Sequence, residues 1–421
     1  MSNPARLTIG LFGFGIVGEG IYKVLQETPS LNAFVKKICI RHPEKKRDAP
    51  NELFTTDYGE LLNDPEINLV VELIDDAGEA FKIVSTALRK KKAAVSANKK
   101  MIAEHLGELL KLQVEYDVPF LYEAAVCGSI PVIRNLEEYY DNDLLKSICG
   151  IVNGSTNFIL TRIIDEKLSY EDALQQAQQL GFAESDPELD VAGIDAANKL
   201  TILLLHAYGI LTSPHKLLFK SITRIHLSDA KVAGEKGYKI KLAAQAYKLG
   251  NGKIAAFVLP QFVTNESQLY NVKDEYNGVV IESKLADKQF IYGKGAGRYP
   301  TSSAVLSDIA ALRYQYKYEY RKLHGANKFD LSNDYYFKIY VSFSDWNEIN
   351  KWDFEWIEES HSTEERQYLI GIIHYQKLSD AIWFRTNDNV SVIMMPAGIF
   401  EKEAVLKRAM QKMSLQLAGL G

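Results

Sequence analysis

Residues 181–209 read GFAESDPELDVAGIDAANKLTILLLHAYG, and they crowd carboxylates ahead of a single lysine. Glu184, Asp186, Glu188, Asp190 and Asp195 all precede Lys199, after which the chain turns apolar. Pro187 interrupts any helical pattern among the first four acids, so they read as a loop feeding a helix over about 191–208. Carboxylates without enough cationic partners repel one another, and a ligand carrying an ammonium group relieves that repulsion. A metal would do the same, but no His or Cys cluster supports a transition-metal site. Asp195 and Lys199 are four residues apart and share a helix face. A half-buried lysine held by a carboxylate keeps its charge and orientation and can relay a proton. The plainer reading is an ordinary helix salt bridge.

Four other segments carry chemistry. Ser96-Ala97-Asn98-Lys99 follows an apolar strand, where Lys99 can meet both a cofactor and a substrate. Asn153-Gly154-Ser155-Thr156-Asn157 is a turn dense in hydrogen-bonding groups; it suits a polar ligand or a helix N-cap. Gly293-Lys294-Gly295-Ala296-Gly297 exposes backbone just ahead of a helix over about 301–314 and permits close approach of a ligand. In EAAVCGSIP, Cys127 has no histidine partner in sequence and reads as a packed thiol, while Glu123 can hold a hard cation together with backbone carbonyls.

The elements that must position these residues alternate along the first third of the chain. LTIGLF leads into Gly13-Phe14-Gly15-Ile16-Val17-Gly18 and then a helical pattern. Gly13 permits a tight turn, Gly15 lets a pyrophosphate approach the backbone, and Gly18 lets helix and strand pack closely. The helix N-terminus adds a positive field for the phosphates. Further apolar runs (VKKICI, INLVVELI, AAVSA, PFLYEAAV) alternate with helical stretches, the pattern of a parallel, doubly wound sheet. The second run ends in Arg41 in place of an acid, with Lys45, Lys46 and Arg47 nearby; this suits a 2′-phosphate and favours NADP over NAD. From about 147 the texture becomes α+β, with helices expected at 170–180, 191–208 and 238–247 and strands in KIAAFVLPQFV and GVVIESKLA. Polar residues 322–334 read as a linker, and 335–421 as a small module of three strands and an amphipathic helix over 400–417.

The net charge of −5 argues against a broad nucleic-acid surface. Three cysteines without metal-ligand spacing read as reduced thiols in a cytoplasmic protein. There is no signal-peptide pattern, and no apolar run approaches the ~20 residues that span a bilayer.

Taken in order, GFGIVG, SANKK, EAAVCGSIP, GIVNGSTNFIL, GFAESDPELDVAGIDAANK and GKGAGRYPTSSAVLSDI resemble homoserine dehydrogenase over residues 7 to about 315. The resemblance implies NAD(P)-dependent interconversion of L-homoserine and L-aspartate 4-semialdehyde, a step toward threonine and methionine. It implies Lys199 as proton donor, with Lys99 and Asp195 in the same active site, and Glu184 and Asp190 holding the substrate. Gly13, Gly15, Ile16, Val17, Gly18, Arg41, Ser96, Lys99 and Gly297 become the candidate cofactor residues. Glu123, with the carbonyls of Val126, Gly128 and Ile130, matches a monovalent cation site, typically sodium. The implied architecture is a Rossmann-type nucleotide domain over 1–146, completed by about 298–320, and an α+β substrate-binding and dimerisation domain over 147–297. The 335–421 module would be a diverged ACT-like domain, and the assembly a homodimer or homotetramer. Two departures stand out. Asp75 and Asp76 occupy positions where the family commonly has two glycines, and FSDWNEINKW replaces the usual acidic-x-Pro-Gly turn of the module. The alternative is a non-catalytic, nucleotide-binding regulatory protein on the same scaffold.

Overall fold

A computed structural model describes residues 6–362, 366–387 and 389–407. Six strands form an all-parallel sheet: β1 (Leu7–Phe12), β2 (Ala33–Cys39), β3 (Phe54–Thr55), β4 (Leu69–Glu72), β5 (Ala93–Ser96) and β6 (Phe120–Leu121). Their order is β3-β2-β1-β4-β5-β6, so the chain reverses direction between β1 and β4. Ligands of doubly wound sheets bind outside the carboxyl ends of the strands at such a reversal. Both β1 and β4 are buried along their length, which is why they read as unbroken apolar runs.

The helix Arg298–Leu312 returns from the last strand of the 145–294 region and packs on the helix Ile16–Glu27 that follows the glycine loop. Contact there is close: a Cβ on Gly20 would lie 2.6 Å from the Ser302 hydroxyl. Arg298 also reaches Glu19 at 3.4 Å.

The second sheet is mixed and runs β12-β11-β7-β9-β10-β16-β13-β15-β14, with the short β8 (Leu218–Phe219) beside β10. Its first half comprises β7 (Leu145–Ile151), β9 (Lys239–Lys248), β10 (Ile254–Val263), β11 (Tyr276–Ser283) and β12 (Asp287–Lys294). Residues 238–247 are therefore strand, not the helix expected from sequence. YKIKLAAQAY is rich in helix-forming Ala and Lys, but its backbone pairs with β10 over ten residues and with β7 on the other side. Ile240, Leu242, Ala244 and Ala246 alternate into the main core, and that packing overrides local propensity. The helix expected over 191–208 is divided. Gly193, at φ 85°, separates a short turn (Glu188–Val191) from the long helix Ile194–Tyr208.

The expected linker is partly built in: Leu331 bridges Ile254 at the start of β10. Beyond it lie β13 (Tyr336–Phe343), β14 (Phe354–Ser362), β15 (Gln367–His374) and β16 (Ser391–Phe400). These strands do not form a detached body. β16 pairs with β10 at Gln261 and Met394, so one sheet crosses from the catalytic region into the C-terminal module. Phe257 and Leu259 of β10 share a core with Phe337, Ile339, Trp383 and Phe384. Buried Asp229 accepts hydrogen bonds from Tyr340 (2.9 Å) and Ser342 (2.6 Å) across the same junction. Of the C-terminal helix expected over 400–417, residues 402–407 are helical and 408–417 lie outside the described residues.

Candidate active site

The structure gathers the acid-rich segment around one buried carboxylate. Asp195 opens the Ile194–Tyr208 helix and is 2% exposed. One of its oxygens, Oδ2, accepts from Lys199 Nζ at 2.8 Å and from the Asn153 side-chain amide at 2.8 Å. The other, Oδ1, lies 2.9 Å from Lys99 Nζ. Two lysines a hundred residues apart thus converge on one acid. Burial alone would raise the Asp195 pKa, but Lys199 and Lys99 together hold it well below the usual carboxylate range. Asp195 in turn raises the pKa of the half-exposed Lys99, with Asp190 and Glu184 adding to the effect.

Lys199 is buried and also donates to the Val152 carbonyl at 2.6 Å. That bond ties the Ile194–Tyr208 helix to the residue just before the Asn153 turn. The turn itself has both of the roles its composition allows. Asn153 caps the helix Gly154–Asp165 through Thr156 N (2.8 Å), and its amide bridges Asp195 to Asp190 Oδ1 (2.8 Å). Ser155 donates to Asp190 Oδ2 (2.9 Å). Asp190 is therefore fixed by two neutral donors, with the Lys99 ammonium as a charged neighbour. Glu184 is exposed, on the same side as Lys99. Asp186 accepts the Glu188 amide at 3.3 Å and is accounted for as a turn residue.

Lys99 begins the helix Lys99–Tyr116, capped by Asn98 through Met101 N at 2.9 Å. Ser96 ends β5 and donates to Glu72 (2.5 Å) at the end of β4. Glu72 is fully buried, and sequence reasoning gave it no part. The only signal was its place at the last position of a strand facing the ligand edge.

The glycine loop has a division of labour visible residue by residue. Gly13 sits at φ 93°, and a Cβ there would lie 2.6 Å from the Leu73 carbonyl. A Cβ on Gly18 would lie 2.3 Å from the Gly13 carbonyl, so helix and turn meet backbone to backbone. A Cβ on Gly15 would meet nothing within 4 Å. The first and third glycines are thus needed by the fold, and the second faces open space at the helix N-terminus, where a pyrophosphate fits. Ile16 beside it is 66% exposed. Gly297, at φ 110°, precedes the Arg298–Leu312 helix.

Arg41 is exposed just past β2. Of the two unexpected acids, Asp76 caps the helix Ala77–Arg89 through Glu79 N (2.9 Å), and its pKa is lowered chiefly by that bond, with Arg41 contributing. Its partners are backbone and Arg41, so it needs no ligand.

Glu123 is buried, with its two oxygens accepting the Ile133 and Arg134 amides at 2.9 Å each. Burial, then the nearby Asp308, push its pKa up to about 8. The Ile130 carbonyl accepts from Val132 N at 2.8 Å, whereas the Val126 and Gly128 carbonyls accept no hydrogen bond among the described residues. Cys127 is buried at φ 59°, and burial pushes its thiol up to about 12; it is a packed thiol and not a nucleophile.

Two family models match the chain: "Homoserine dehydrogenase" over residues 131–310 and "Homoserine dehydrogenase, NAD binding domain" over 13–123. Homoserine dehydrogenase of Bacillus subtilis is 36% identical over 315 residues, covering 73% of this chain and 72% of the relative. The chain belongs to the homoserine dehydrogenase family. The Helicobacter pylori homoserine dehydrogenase is 39% identical over 311 residues, covering 72% of this chain and 73% of the relative. Among solved structures, a homoserine dehydrogenase from Thiobacillus denitrificans superposes with a TM-score of 0.79 at 27% identity, covering 92% of this chain and 98% of that one. A hyperthermophilic archaeal homoserine dehydrogenase in complex with NADPH gives 0.64 at 26% identity, covering 75% of this chain and 99% of that one. Membership makes the chain an oxidoreductase acting on a CH–OH group.

Proposed function

We propose that this chain interconverts L-homoserine and L-aspartate 4-semialdehyde with NADP, and that Lys199 carries the proton on and off the substrate oxygen. The observation that carries this is the shared Asp195 carboxylate, which holds Lys199 and Lys99 within 2.9 Å while Asn153 ties it to Asp190. When bound, the nicotinamide ring exchanges hydride with the carbon bearing that oxygen. Negative charge grows on the oxygen as the aldehyde is reduced, and the Lys199 ammonium stabilises it and donates a proton from Nζ. Asp195 aims the ammonium through its 2.8 Å contact. Asp190 and Glu184 take the substrate's ammonium end. Lys99, half exposed, keeps a second positive charge at the mouth of the site beside Asp195. A non-catalytic regulatory reading is disfavoured, because a buried carboxylate with two converging lysines is costly to keep without use.

NADP is preferred on the strength of Arg41, its basic neighbours Lys45, Lys46 and Arg47, and the absence of an acid at the end of β2. The NADPH complex of the archaeal relative is consistent with it. Arg41→Ala should lower kcat/KM with NADP and leave that with NAD unchanged; equal losses with both would refute the assignment. An all-oxygen set of Glu123 with the Val126, Gly128 and Ile130 carbonyls suits a monovalent cation such as sodium. Sodium chloride should then raise the melting temperature more than choline chloride at equal ionic strength.

The C-terminal strands follow the order fourth-first-third-second, all antiparallel, with helical turns after the third. That order supports a diverged ACT-like fold in which two 3₁₀ turns (Trp346–Glu348 and Lys351–Asp353) replace the first helix. A homodimer or homotetramer in the cytoplasm completes the reading; light scattering of the purified protein tests the assembly. The central test is turnover: purified protein with homoserine should reduce NADP. Failure with both NADP and NAD would overturn the proposal.

A further inference from the structure

Glu72 is a fully buried carboxyl to which the chemistry above gives no part. It ends β4 at the ligand edge of the parallel sheet. One oxygen accepts from the Ser96 hydroxyl at 2.5 Å, and the other from the Ile74 amide at 2.7 Å. Ser96 Oγ accepts in turn from the Asn98 amide at 3.0 Å. The Asn98 side chain donates to the Ile74 carbonyl at 3.0 Å, and its oxygen caps the helix at Met101 N. Glu72, Ser96, Asn98 and Ile74 thus close a ring of hydrogen bonds. The ring joins the ends of β4 and β5 to the first turn of the helix that begins at Lys99.

We propose that Glu72 is a positioning residue for the reaction: its carboxyl locks the Asn98–Lys99 turn so that the Lys99 ammonium is held at Asp195. This rests on the reading of Lys99 as an active-site residue. The carboxyl accepts at both oxygens here, from the Ile74 amide and from the Ser96 hydroxyl. Glutamine fits the space but can accept at only one end, so the Ser96 hydroxyl would lose its acceptor and have to turn to receive the new NH2. Burying a carboxyl is costly, and a purely structural tie between two strand ends does not need one. Burial pushes the Glu72 pKa up to about 7, opposed by the Ser96 and Ile74 bonds and assisted by Asp75 on the following turn. The Lys99 ammonium itself lies 2.9 Å from Asp195 Oδ1. Ser96 is also a candidate cofactor residue, so the path through Lys99 is identified by the coupling of Glu72 to Lys99 and not by a loss of turnover alone.

A double-mutant cycle tests this. Glu72→Gln, Lys99→Met and the double variant are compared for kcat, KM for homoserine, cofactor affinity and melting temperature. The expected result is a kcat about tenfold lower for Glu72→Gln, with little change in melting temperature, and a double variant no slower than Lys99→Met alone. If Glu72→Gln retains kcat within twofold, or if its loss multiplies in full onto that of Lys99→Met, the proposal is overturned. A Lys99→Met enzyme with undiminished kcat would overturn the Lys99 reading itself, and this inference with it. Should Gln at 72 not fold, Glu72→Asp goes through the same cycle. It keeps both acceptors but withdraws them by one methylene, and the same non-additivity is expected.

Discussion

Lys199→Met separates the proton-transfer role of this residue from its structural one. Methionine keeps most of the length and volume of the side chain and removes the ammonium. If Lys199 donates the proton and stabilises the developing charge, turnover should fall by about 10³, within the ~10²–10⁴ range for a positioned general acid. That corresponds to about 4 kcal/mol of transition-state stabilisation, at ~1.36 kcal/mol per decade. Stability should change less. Breaking a buried ion pair outright costs ~3–5 kcal/mol, because a charge is left without a partner. Here Asp195 keeps Lys99 at 2.9 Å and the Asn153 amide at 2.8 Å. The Val152 carbonyl loses its donor, which is a cost on the order of 1 kcal/mol. A net loss of about 1–3 kcal/mol follows, seen as a few degrees in melting temperature. Cofactor affinity should be unaffected, since the glycine loop lies on the other domain and none of its contacts involve Lys199. Initial rates of NADP reduction, fluorescence titration of NADPH and a thermal melt measure the three quantities. Turnover within tenfold of the parent would refute the proton-transfer role. Turnover and cofactor affinity falling together would show that the substitution acts on the fold.

Gly15→Ala should leave the melting temperature unchanged, because an added Cβ meets nothing within 4 Å, yet weaken NADPH binding at least tenfold. Unchanged affinity in a fluorescence titration would place the pyrophosphate elsewhere. Asp229→Ala removes the acceptor for two buried hydroxyls, Tyr340 and Ser342, at about 1–3 kcal/mol each. Limited proteolysis should then cut the C-terminal module first, and a melting curve superimposable on the parent's would contradict its role as the clasp. Lys241 is buried, donating to Asn157 Oδ1 (2.9 Å) and the Val272 carbonyl, and burial followed by Lys239 lowers its pKa from 10.5 to about 7. Between those values the unfolded chain binds the proton and the folded chain does not, so this residue makes stability rise with pH from about 7 to about 10.5, with a slope of up to ~1.4 kcal/mol per pH unit. Urea unfolding at pH 6, 8 and 10 should show Lys241→Met gaining most over the parent at the lowest pH, and parallel curves for the two proteins would refute it.

What the sequence made legible was set by how local each cause is. The glycine loop, the Asp195–Lys199 spacing and the strand before Lys99 are all decided within a few residues, and each sits where its pattern required. Asp76 is local too, but its function as an N-cap was hidden behind a mismatch with related sequences; the carboxylate serves the helix start, so it needs no ligand. The misjudged elements were those whose causes lie far away in the chain. The strand Lys239–Lys248 carries a helix-forming composition and becomes a strand because two neighbours supply backbone partners on both edges. Asn153 looked like a cap, and it is one, but its second function depends on two acids 37 and 42 residues away. Glu72 and Ser96 are 24 residues apart and meet only because β4 and β5 lie side by side. The junction of β10 with β16 joins residues 261 and 394, so a module bounded by a polar stretch in sequence is continuous with the catalytic sheet in space. That continuity has a consequence for function. The Lys220 ammonium donates to the Phe384 carbonyl of the module, and two residues on, Ile222 N donates to the Val191 carbonyl at 3.0 Å, beside Asp190. Backbone 220–222 thus links the module to Val191, next to Asp190, a route that no pattern within either segment announces.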